Sequence, residues 1–245
     1  MNDPRIQTMK QFTKNTLIGF SHESGNPVAR RNQPARARLV ITVILFASIL
    51  ALPAGILYQN NFEQAETGKA PDDFLILEGG FAVKQEPGNR FLELPGSPLD
   101  SFAALFGPTE SSNLVVSAAI NGTAKGRRFP TFGVGLNGVA GYKLQVSPAK
   151  NVLEIFRDQQ SKTNIHLDWK SGEWIMLKLQ VRSLNAGTWR IEGKAWPKGG
   201  NEPDSWILTL DDQEPPPSGR PSVFGSPFAG TAIQFDDLKV QTTDP

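Results

Sequence analysis

The sequence predicts an all-β domain, an antiparallel β-sandwich, preceded by one N-terminal transmembrane helix. From about Phe74 onward, short runs of alternating apolar and polar residues are separated by turns rich in glycine and proline. Such alternation is typical of half-buried strands, and about a dozen of them in series form a sandwich or a barrel. Before them, Leu39–Leu57 contains no charged residue, which indicates a membrane span.

Composition excludes several classes of function. The 245 residues carry a net charge of only +1, which argues against a nucleic-acid partner. Cysteine is absent, so disulfides, thiolate metal sites and cysteine nucleophiles are excluded. The two histidines are His22 and His166, too few for a multi-histidine metal centre within one domain.

The predicted membrane anchor covers residues 39–58. Its apolar run, residues 39–57, has 19 uncharged residues and would form a helix of about 28 Å, close to the roughly 30 Å hydrocarbon core. Four arginines lie just before it, at positions 30, 31, 36 and 38, and Tyr58 follows at the expected interface. The positive-inside rule then places the N-terminus in the cytoplasm and the C-terminal part in the periplasm or outside the cell.

Two other interpretations of the apolar run stay open. A cleaved signal peptide usually has a shorter apolar region, and the best cleavage candidate here, Leu52-Pro53-Ala54, begins with a large residue. A buried core helix would contain Pro53 and Gly55, which suit the end of a membrane span better. We therefore expect an uncleaved signal anchor.

One of the two segments that flank the predicted anchor is expected to be disordered and the other to be folded. Residues 1–38 hold seven basic and two acidic residues without sustained periodicity, which predicts a disordered basic cytoplasmic tail. The remaining residues, 59–245, form the predicted β-sandwich domain. Within it, residues 59–73 are expected to be a linker that leads into the first strand.

Turn signals and alternation place nine strands with some precision. They are predicted at residues 113–120, 131–136, 142–146, 152–157, 163–167, 174–182, 189–195, 206–210 and 231–240. Residues 133–138 match the dinucleotide-binding pattern G-x-G-x-x-G, but that site needs a helix after the glycines. Here Asn137-Gly138 is followed by a second strand, so we predict a β-hairpin.

Aromatic, charged and amide side chains occupy one face of three predicted strands. The candidate ligand-binding residues on it are Asn164, His166, Asp168, Trp174, Arg190, Glu192, Lys194 and Trp196. Aromatic rings stack on the apolar side of a sugar while polar groups bind its hydroxyls, so this mixture favours a saccharide. The alternative is that Trp174 and Trp196 pack under loops and that the charges are solvated. Trp169, Trp189 and Trp206 are predicted to pack in the core.

Catalytic arrangements are weak in this sequence. His166 has one carboxylate nearby, Asp168, but no nucleophile is indicated. The acidic pairs Glu154/Asp158 and Asp211/Asp212 do not differ from solvated faces or turns. We therefore predict that the protein is not an enzyme.

The closing strand predicts a β-bulge. Ile233 and Phe235 share one parity, whereas Leu238 and Val240 are also apolar and have the other. A bulge at Asp236-Asp237 would turn all four towards the core. Two acids there could hold Ca²⁺ together with backbone carbonyls, or they could cap backbone donors without a metal.

Three segments resemble a known family. Residues 189–206 (WRIEGKAWPKGGNEPDSW), 169–174 (WKSGEW) and 233–240 (IQFDDLKV) are similar to motifs of concanavalin A-like, LamG-type jelly-roll domains. The resemblance covers roughly residues 60–245. It implies two packed antiparallel sheets, a concave face that binds carbohydrate in many members, and a structural Ca²⁺ at Asp236 or Asp237. The glucanase motif Glu-x-Asp-x-x-Glu is missing here, which argues against glucanase activity.

Together these observations predict a single-pass, N-in membrane protein with a non-catalytic carbohydrate-binding domain outside the cytoplasm. The ligand is expected to be a glycan of the envelope or the environment. An alternative is a structural or protein–protein interaction domain of the cell envelope on the same scaffold, marked by a large apolar patch. Glycoside hydrolysis is the least favoured of the three.

Overall fold

Two antiparallel sheets make up the part of the chain that the computed structural model describes, which is residues 55–97, 100–185 and 187–243. The strands are β1 Ile56–Asn60, β2 Leu75–Glu78, β3 Ala82–Glu86, β4 Asn89–Leu94, β5 Phe102–Leu105, β6 Leu114–Gly122, β7 Thr131–Leu136, β8 Tyr142–Ser147, β9 Val152–Arg157, β10 Gln160–His166, β11 Ile175–Asn185, β12 Thr188–Pro197, β13 Leu208–Asp212, β14 Ser222–Ser226 and β15 Ile233–Thr242. One 3₁₀ turn, Pro148–Lys150, lies between β8 and β9. All nine predicted strands are confirmed to within a few residues.

The strand order divides the chain between the sheets. The eight-stranded sheet runs β13-β12-β11-β6-β15-β4-β3, and β1 also pairs with β15. The seven-stranded sheet runs β10-β9-β8-β7-β14-β5-β2. The predicted antiparallel sandwich is therefore confirmed.

Alternating side chains fill the space between the sheets. Leu177 on β11 lies opposite Ala118 on β6, and Leu179 lies opposite Val116. All four side chains are fully buried. Because burial of one leucine or valine side chain contributes about 1.5–3 kcal/mol, this register is strongly preferred over a one-residue slip.

The predicted bulge in β15 is confirmed. Between Asp236 and Lys239 the register with β6 shifts by one residue, and Asp237 adopts a positive φ of 49°. As a result Ile233, Phe235, Leu238 and Val240 are all fully buried. The bulge also divides β15 between two partners on one side, β4 before it and β1 after it.

The first strand begins earlier than predicted. β1 contains Ile56, Leu57 and Tyr58, the last residues of the predicted membrane span, and it pairs with β15. The expected linker, residues 59–73, begins inside β1, and the chain turns after Asn60, whose side chain accepts a hydrogen bond from the Phe62 amide. Phe62 is fully buried in the core. The apolar run continues into β1 without a break, so the sequence does not mark where the strand begins.

The rest of the predicted anchor, residues 39–54, and the predicted tail, residues 1–38, lie outside the described residues. In the described ranges no helix has the length and apolar character that a membrane crossing requires.

The predicted hairpin is confirmed at the G-x-G-x-x-G pattern. β7 pairs with β8, with Leu136 opposite Tyr142. Asn137 and Gly138 both have positive φ, 67° and 72°, which only glycine and a few polar residues adopt readily. The element that directly follows these glycines is strand β8 and not a helix, so they do not form a dinucleotide site.

Candidate functional site

The predicted ligand residues are divided between the two sheets. Five of them belong to or border the eight-stranded sheet: Trp174, Arg190, Glu192, Lys194 and Trp196. The other three lie on or just after β10, at the edge of the seven-stranded sheet: Asn164, His166 and Asp168. The predicted common face is therefore wrong, because β10 pairs with β9 and not with β11.

His166 and Asp168 form an exposed pair at this edge. The His166 Nε2 lies 2.9 Å from Asp168 Oδ1, and the two side chains are 69% and 89% exposed. Both side chains therefore lie in open solvent at the edge of the sheet.

A polar trough of about 490 Å³ crosses the outer face of the eight-stranded sheet. We define it by Gln180, Arg182, Glu192, Lys194 and Trp206. Glu192 is 7% exposed and accepts hydrogen bonds from Gln180 (2.8 Å) and Arg182 (3.1 Å). Lys194 Nζ lies 4.7 Å from the centroid of the Trp206 ring. Glu192 and Lys194 thus lie on the same face of β12, as their alternation predicts, and both line this trough.

Trp206 was predicted to be a core residue, and this is wrong. Its ring covers the Lys194 ammonium at the wall of the polar trough, where a cation is attracted to the face of an indole. Trp169 and Trp189, in contrast, pack against the buried core as predicted.

Most charges of the polar trough are already paired within the chain. Glu202 Oε1 forms an ion pair with Lys194 Nζ at 2.7 Å and accepts a hydrogen bond from Lys178 Nζ at 2.8 Å. Arg190, which does not line the trough, binds both carboxylate oxygens of Asp211, at 2.7 and 2.8 Å, and thereby lowers the pKa of Asp211. A ligand entering here must compete with these ion pairs.

The two predicted tryptophan platforms are only partly open. Trp174 packs edge-on against the buried Phe91, with ring centroids 6.2 Å apart, and Lys198 Nζ lies 5.0 Å from its ring centroid. Trp174, Trp196 and Asp168 together line a small hollow of about 120 Å³. This hollow is smaller than a ligand pocket usually is.

Asp236 and Asp237 have a different cation from the one predicted. Lys198 Nζ contacts Asp236 Oδ2 at 2.9 Å and Asp237 Oδ2 at 2.8 Å, and Asn89 also donates to Asp236. Asp236 is buried and accepts a hydrogen bond from the Asp237 amide, which is the metal-free capping alternative. The described residues contain no group of three or more metal-ligating side chains. The arrangement does not fit the implied Ca²⁺, because the ammonium already supplies the positive charge.

A second cleft, of about 560 Å³, lies on the outer face of the seven-stranded sheet. Three phenylalanines line it, Phe102 from β5, Phe224 from β14 and Phe228 from the following turn, and we call it the phenylalanine cleft. Lys143 and Gln145 of β8 line the opposite side. Aromatic rings and hydrogen-bonding groups therefore face one another across the sheet.

Glycines on β7 make room for this cleft. Gly133 lies directly between Phe224 on β14 and Gln145 on β8. A Cβ atom at Gly133 would lie 2.6 Å from Phe224 Cζ, and one at Gly135 would lie 2.5 Å from the Ser222 hydroxyl. The ring can thus lie close to the backbone only because β7 has no outward side chain at these two positions.

Lys143 is the cation of the phenylalanine cleft. Its Nζ lies 5.7 Å from the Phe224 ring centroid. Burial lowers the pKa of Lys143, opposed by the negative charge of Asp158. In contrast, Lys150 at the cleft rim is paired with the buried Glu154 at 3.3 Å. Lys143 thus presents an ammonium beside an aromatic ring in a partly dehydrated cleft.

The sequence analysis missed this cleft. The available signal was alternation: Lys143, Gln145 and Ser147 share one face, as do Ser222, Phe224 and Ser226. Which strands are neighbours was not visible, because β14 lies about 80 residues after β8 in the chain but is separated from it in the sheet only by β7.

No family model matches the sequence, and no curated protein matches it either. Solved structures share its fold. A Bacillus subtilis protein of unknown function with a galectin-like fold has a TM-score of 0.53 and 11% identity, over 77% of this chain and 97% of that one. The carbohydrate recognition domain of Emp46p has a TM-score of 0.52 and 9% identity, over 76% and 94%. A xylan β-1,4-xylosidase from Bacillus halodurans C-125 has a TM-score of 0.52 and 12% identity, over 75% of this chain but 38% of that one.

The described domain has the fold of a jelly-roll β-sandwich. Identities of 9–12% show the fold alone. The Emp46p domain is also known in metal-free and potassium-bound forms, whereas the bulge of the present domain is held by Lys198.

Proposed function

We propose that this protein is a membrane-anchored, non-catalytic saccharide-binding protein whose jelly-roll domain lies outside the cytoplasm. The observation that carries the proposal is the phenylalanine cleft. There Phe224 lies across β7 from Gln145 and Lys143, and β7 has glycine at its two outward positions between them. The similarity to a carbohydrate recognition domain supports it at the level of fold. The LamG-type relationship indicated by the tryptophan motifs is part of the proposal.

The chemistry of the cleft suits a sugar ring. A pyranose has an apolar C–H face, which stacks on an aromatic ring, and a rim of hydroxyls that need hydrogen-bond partners. Phe224 and Phe228 supply rings, while Gln145 and Ser222 supply polar groups. Gln145 donates through Nε2 to Ser147, so its carbonyl oxygen can accept a bond from a sugar hydroxyl.

The acidic residues near the phenylalanine cleft support saccharide binding without cleavage of the glycosidic bond. Glycoside hydrolysis uses two carboxyl groups that flank the scissile bond. Among the described residues that line the phenylalanine cleft, Glu78 alone is acidic. Glu154, the nearby buried acid, is occupied by Ser147, Ser161 and Lys150. An assay of reducing-sugar release from a polysaccharide panel tests this point, and release of sugar would overturn it.

The eight-stranded sheet provides the second candidate surface for the same function. There the polar trough adjoins a hollow of about 350 Å³ that Trp196 and Met176 line. We keep Trp174, Arg190, Glu192, Lys194 and Trp196 as candidates for this surface. We keep Asn164, His166 and Asp168 as candidates at the edge of the seven-stranded sheet. Existing ion pairs make the surface of the eight-stranded sheet the less favoured site.

Glycan-array binding by the full chain, compared between two variants, tests the proposal. Phe224→Ala removes the ring of the phenylalanine cleft, and Trp196→Ala removes a ring on the other sheet. We expect wild type and W196A to bind a saccharide and F224A to lose that binding with an unchanged circular dichroism spectrum. The opposite pattern would move the site to the eight-stranded sheet, and an array without any bound glycan would overturn the proposed function.

The anchoring part of the proposal is carried by residues 39–54, which are uncharged and precede the described domain. As a helix they would extend about 24 Å, which is most of the roughly 30 Å of a bilayer core. Because the chain has no cysteine, single cysteines can report topology. In spheroplasts, a membrane-impermeant maleimide should label Lys162→Cys directly and Ser21→Cys only after permeabilisation. The reverse pattern would contradict an N-in orientation.

A protein-interaction domain of the envelope is the second candidate function. Leu77, Val139 and Phe228 are 46%, 53% and 39% exposed at the rim of the phenylalanine cleft. Clustered exposed apolar residues are typical of protein contacts. Crosslinking in envelope membranes, compared between wild type and Leu77→Ser, separates this function from saccharide binding, because glycan binding in solution needs no protein partner.

A further inference from the structure

Lys143 lacks a partner that comparable lysines have. On the eight-stranded sheet, Lys178 and Lys194 each reach Glu202, and Lys198 reaches Asp236 and Asp237. Among the described residues, none places a carboxylate within 4 Å of Lys143 Nζ or accepts a hydrogen bond from it. A partly buried ammonium without an anion is costly, since it loses hydration and gains no ion pair.

The position of Lys143 suits an anion brought by a ligand. Its strand, β8, pairs with β7 so that Lys143 lies opposite Gly135, and no side chain from β7 separates it from Phe224. Lys150 is held by Glu154, which leaves Lys143 as the unpaired cation among the described residues of the cleft lining. Negative charge would therefore be attracted beside the aromatic ring, not at the rim.

We propose that the phenylalanine cleft recognises an acidic saccharide, with the carboxylate of a uronic acid unit on Lys143 Nζ and the ring face of that unit on Phe224. This inference rests on the proposed function. Gln145 and Ser222, which flank the Lys143–Phe224 pair in the cleft, would bind the hydroxyls. A fatty acid would match the ammonium and the phenyl rings, but it would leave these hydrogen-bonding groups unsatisfied.

The test compares one oligosaccharide with and without its charge. The probes are a galacturonic acid hexamer and its fully methyl-esterified form, titrated into the detergent-solubilised full chain by calorimetry. We expect wild type to bind the acid at least tenfold more tightly than the ester, with the difference shrinking as salt is added.

Three variants locate the preference. Lys143→Met should bind acid and ester equally, Lys143→Arg should keep the preference, and Lys84→Met should behave as wild type because Lys84 is an exposed residue on β3 with the same charge. Thermal unfolding of each variant shows that the fold is intact.

An equal affinity of wild type for acid and ester, or an unchanged preference in K143M, would overturn the inference while leaving saccharide binding in place. If wild type binds a saccharide on the array but neither probe in this titration, the inference is overturned. If wild type binds no glycan on the array, the proposed function itself fails.

Discussion

The ammonium of Lys143 lies 5.7 Å from the ring centroid of Phe224, across a strand that has no side chain between them. This relationship depends on Gly133 and Gly135, whose missing Cβ atoms leave space for the ring and for Ser222. The central claim, that the cleft binds a saccharide, therefore depends on residues from three strands.

A side chain at Gly133 is predicted to lower the stability of the domain. Gly133→Ala would place a methyl group 2.6 Å from Phe224 Cζ and against the Leu144 carbonyl. Overpacking of this kind costs about 1–3 kcal/mol. We expect a lower free energy of unfolding by urea titration and weaker saccharide binding. Gly80→Ala is the control, since its Cβ would meet only Pro95 at 3.4 Å, and an equal effect of both variants would contradict the explanation.

The Arg157–Asp212 pair is expected to contribute more to the free energy of unfolding than the Arg190–Asp211 pair. From β9 the arginine of the first pair donates to Asp212 on β13 of the other sheet, at 2.7 Å, and also to the Tyr142 hydroxyl and the Pro215 carbonyl. Its side chain is 10% exposed. Arg157→Met should lower the free energy of unfolding by about 3 kcal/mol, because it leaves buried acceptors unpaired.

Arg190→Met is the matched control for that change. The Arg190–Asp211 pair also involves β13, but the two side chains are 33% and 46% exposed. Exposed ion pairs contribute about 0–1 kcal/mol. Similar losses in R157M and R190M, measured by urea unfolding, would contradict the larger contribution to stability that we expect from the Arg157 network.

The hydrogen bonds to Asp212 are expected to make the domain less stable at acid pH. Burial opposes ionisation, but hydrogen bonds from the Glu214 amide, Arg157 and Tyr142 prevail and hold the pKa of Asp212 below its usual value. The folded state thus binds the proton less well than the unfolded state, so this stabilisation is present above about pH 4 and is lost as the pH falls through the folded-state pKa.

Asp212→Asn should therefore lower stability at pH 7 and narrow its difference from wild type at pH 3. The free energy of unfolding in urea at both pH values checks this. A difference between the two proteins that stays constant or grows towards pH 3 would contradict the sign of the shift.

We predict that the stability of the domain does not depend on calcium, because Lys198 pairs with the two aspartates of the β15 bulge. The ammonium of Lys198 pairs with Asp236 and Asp237 at the bulge of β15. We expect the same thermal midpoint for wild type in Ca²⁺ and in chelator, and a loss of about 1–3 kcal/mol in Lys198→Met, which leaves a buried carboxylate without its cation. A calcium-dependent rise in the midpoint of wild type would show that the carboxylates bind the metal.

The sequence allowed prediction of those features that depend on local alternation. The bulge at Asp236-Asp237 followed from a change of parity between Phe235 and Leu238, and the hairpin followed from Asn137-Gly138. The start of β1 did not follow, because Ile56 continues an apolar run and pairs with Gln241 at the other end of the chain.

The candidate site was less predictable than the fold. Pairing between β8, β7 and β14 brings Lys143 and Phe224 together, and strand order is a property of the whole sandwich. Alternation correctly placed Glu192 and Lys194 on an outer face. It could not show that Glu202, from a loop, and Arg182, from the neighbouring strand, pair with those charges.

Saccharide binding by the full chain, measured on a glycan array for wild type and Phe224→Ala side by side, tests the central claim most directly. We predict saturable binding of wild type to a defined saccharide and loss of that binding in F224A, with the thermal midpoint changed little. Unchanged binding in F224A would contradict the phenylalanine cleft as the site, and no binding by a folded wild-type protein would contradict saccharide recognition altogether.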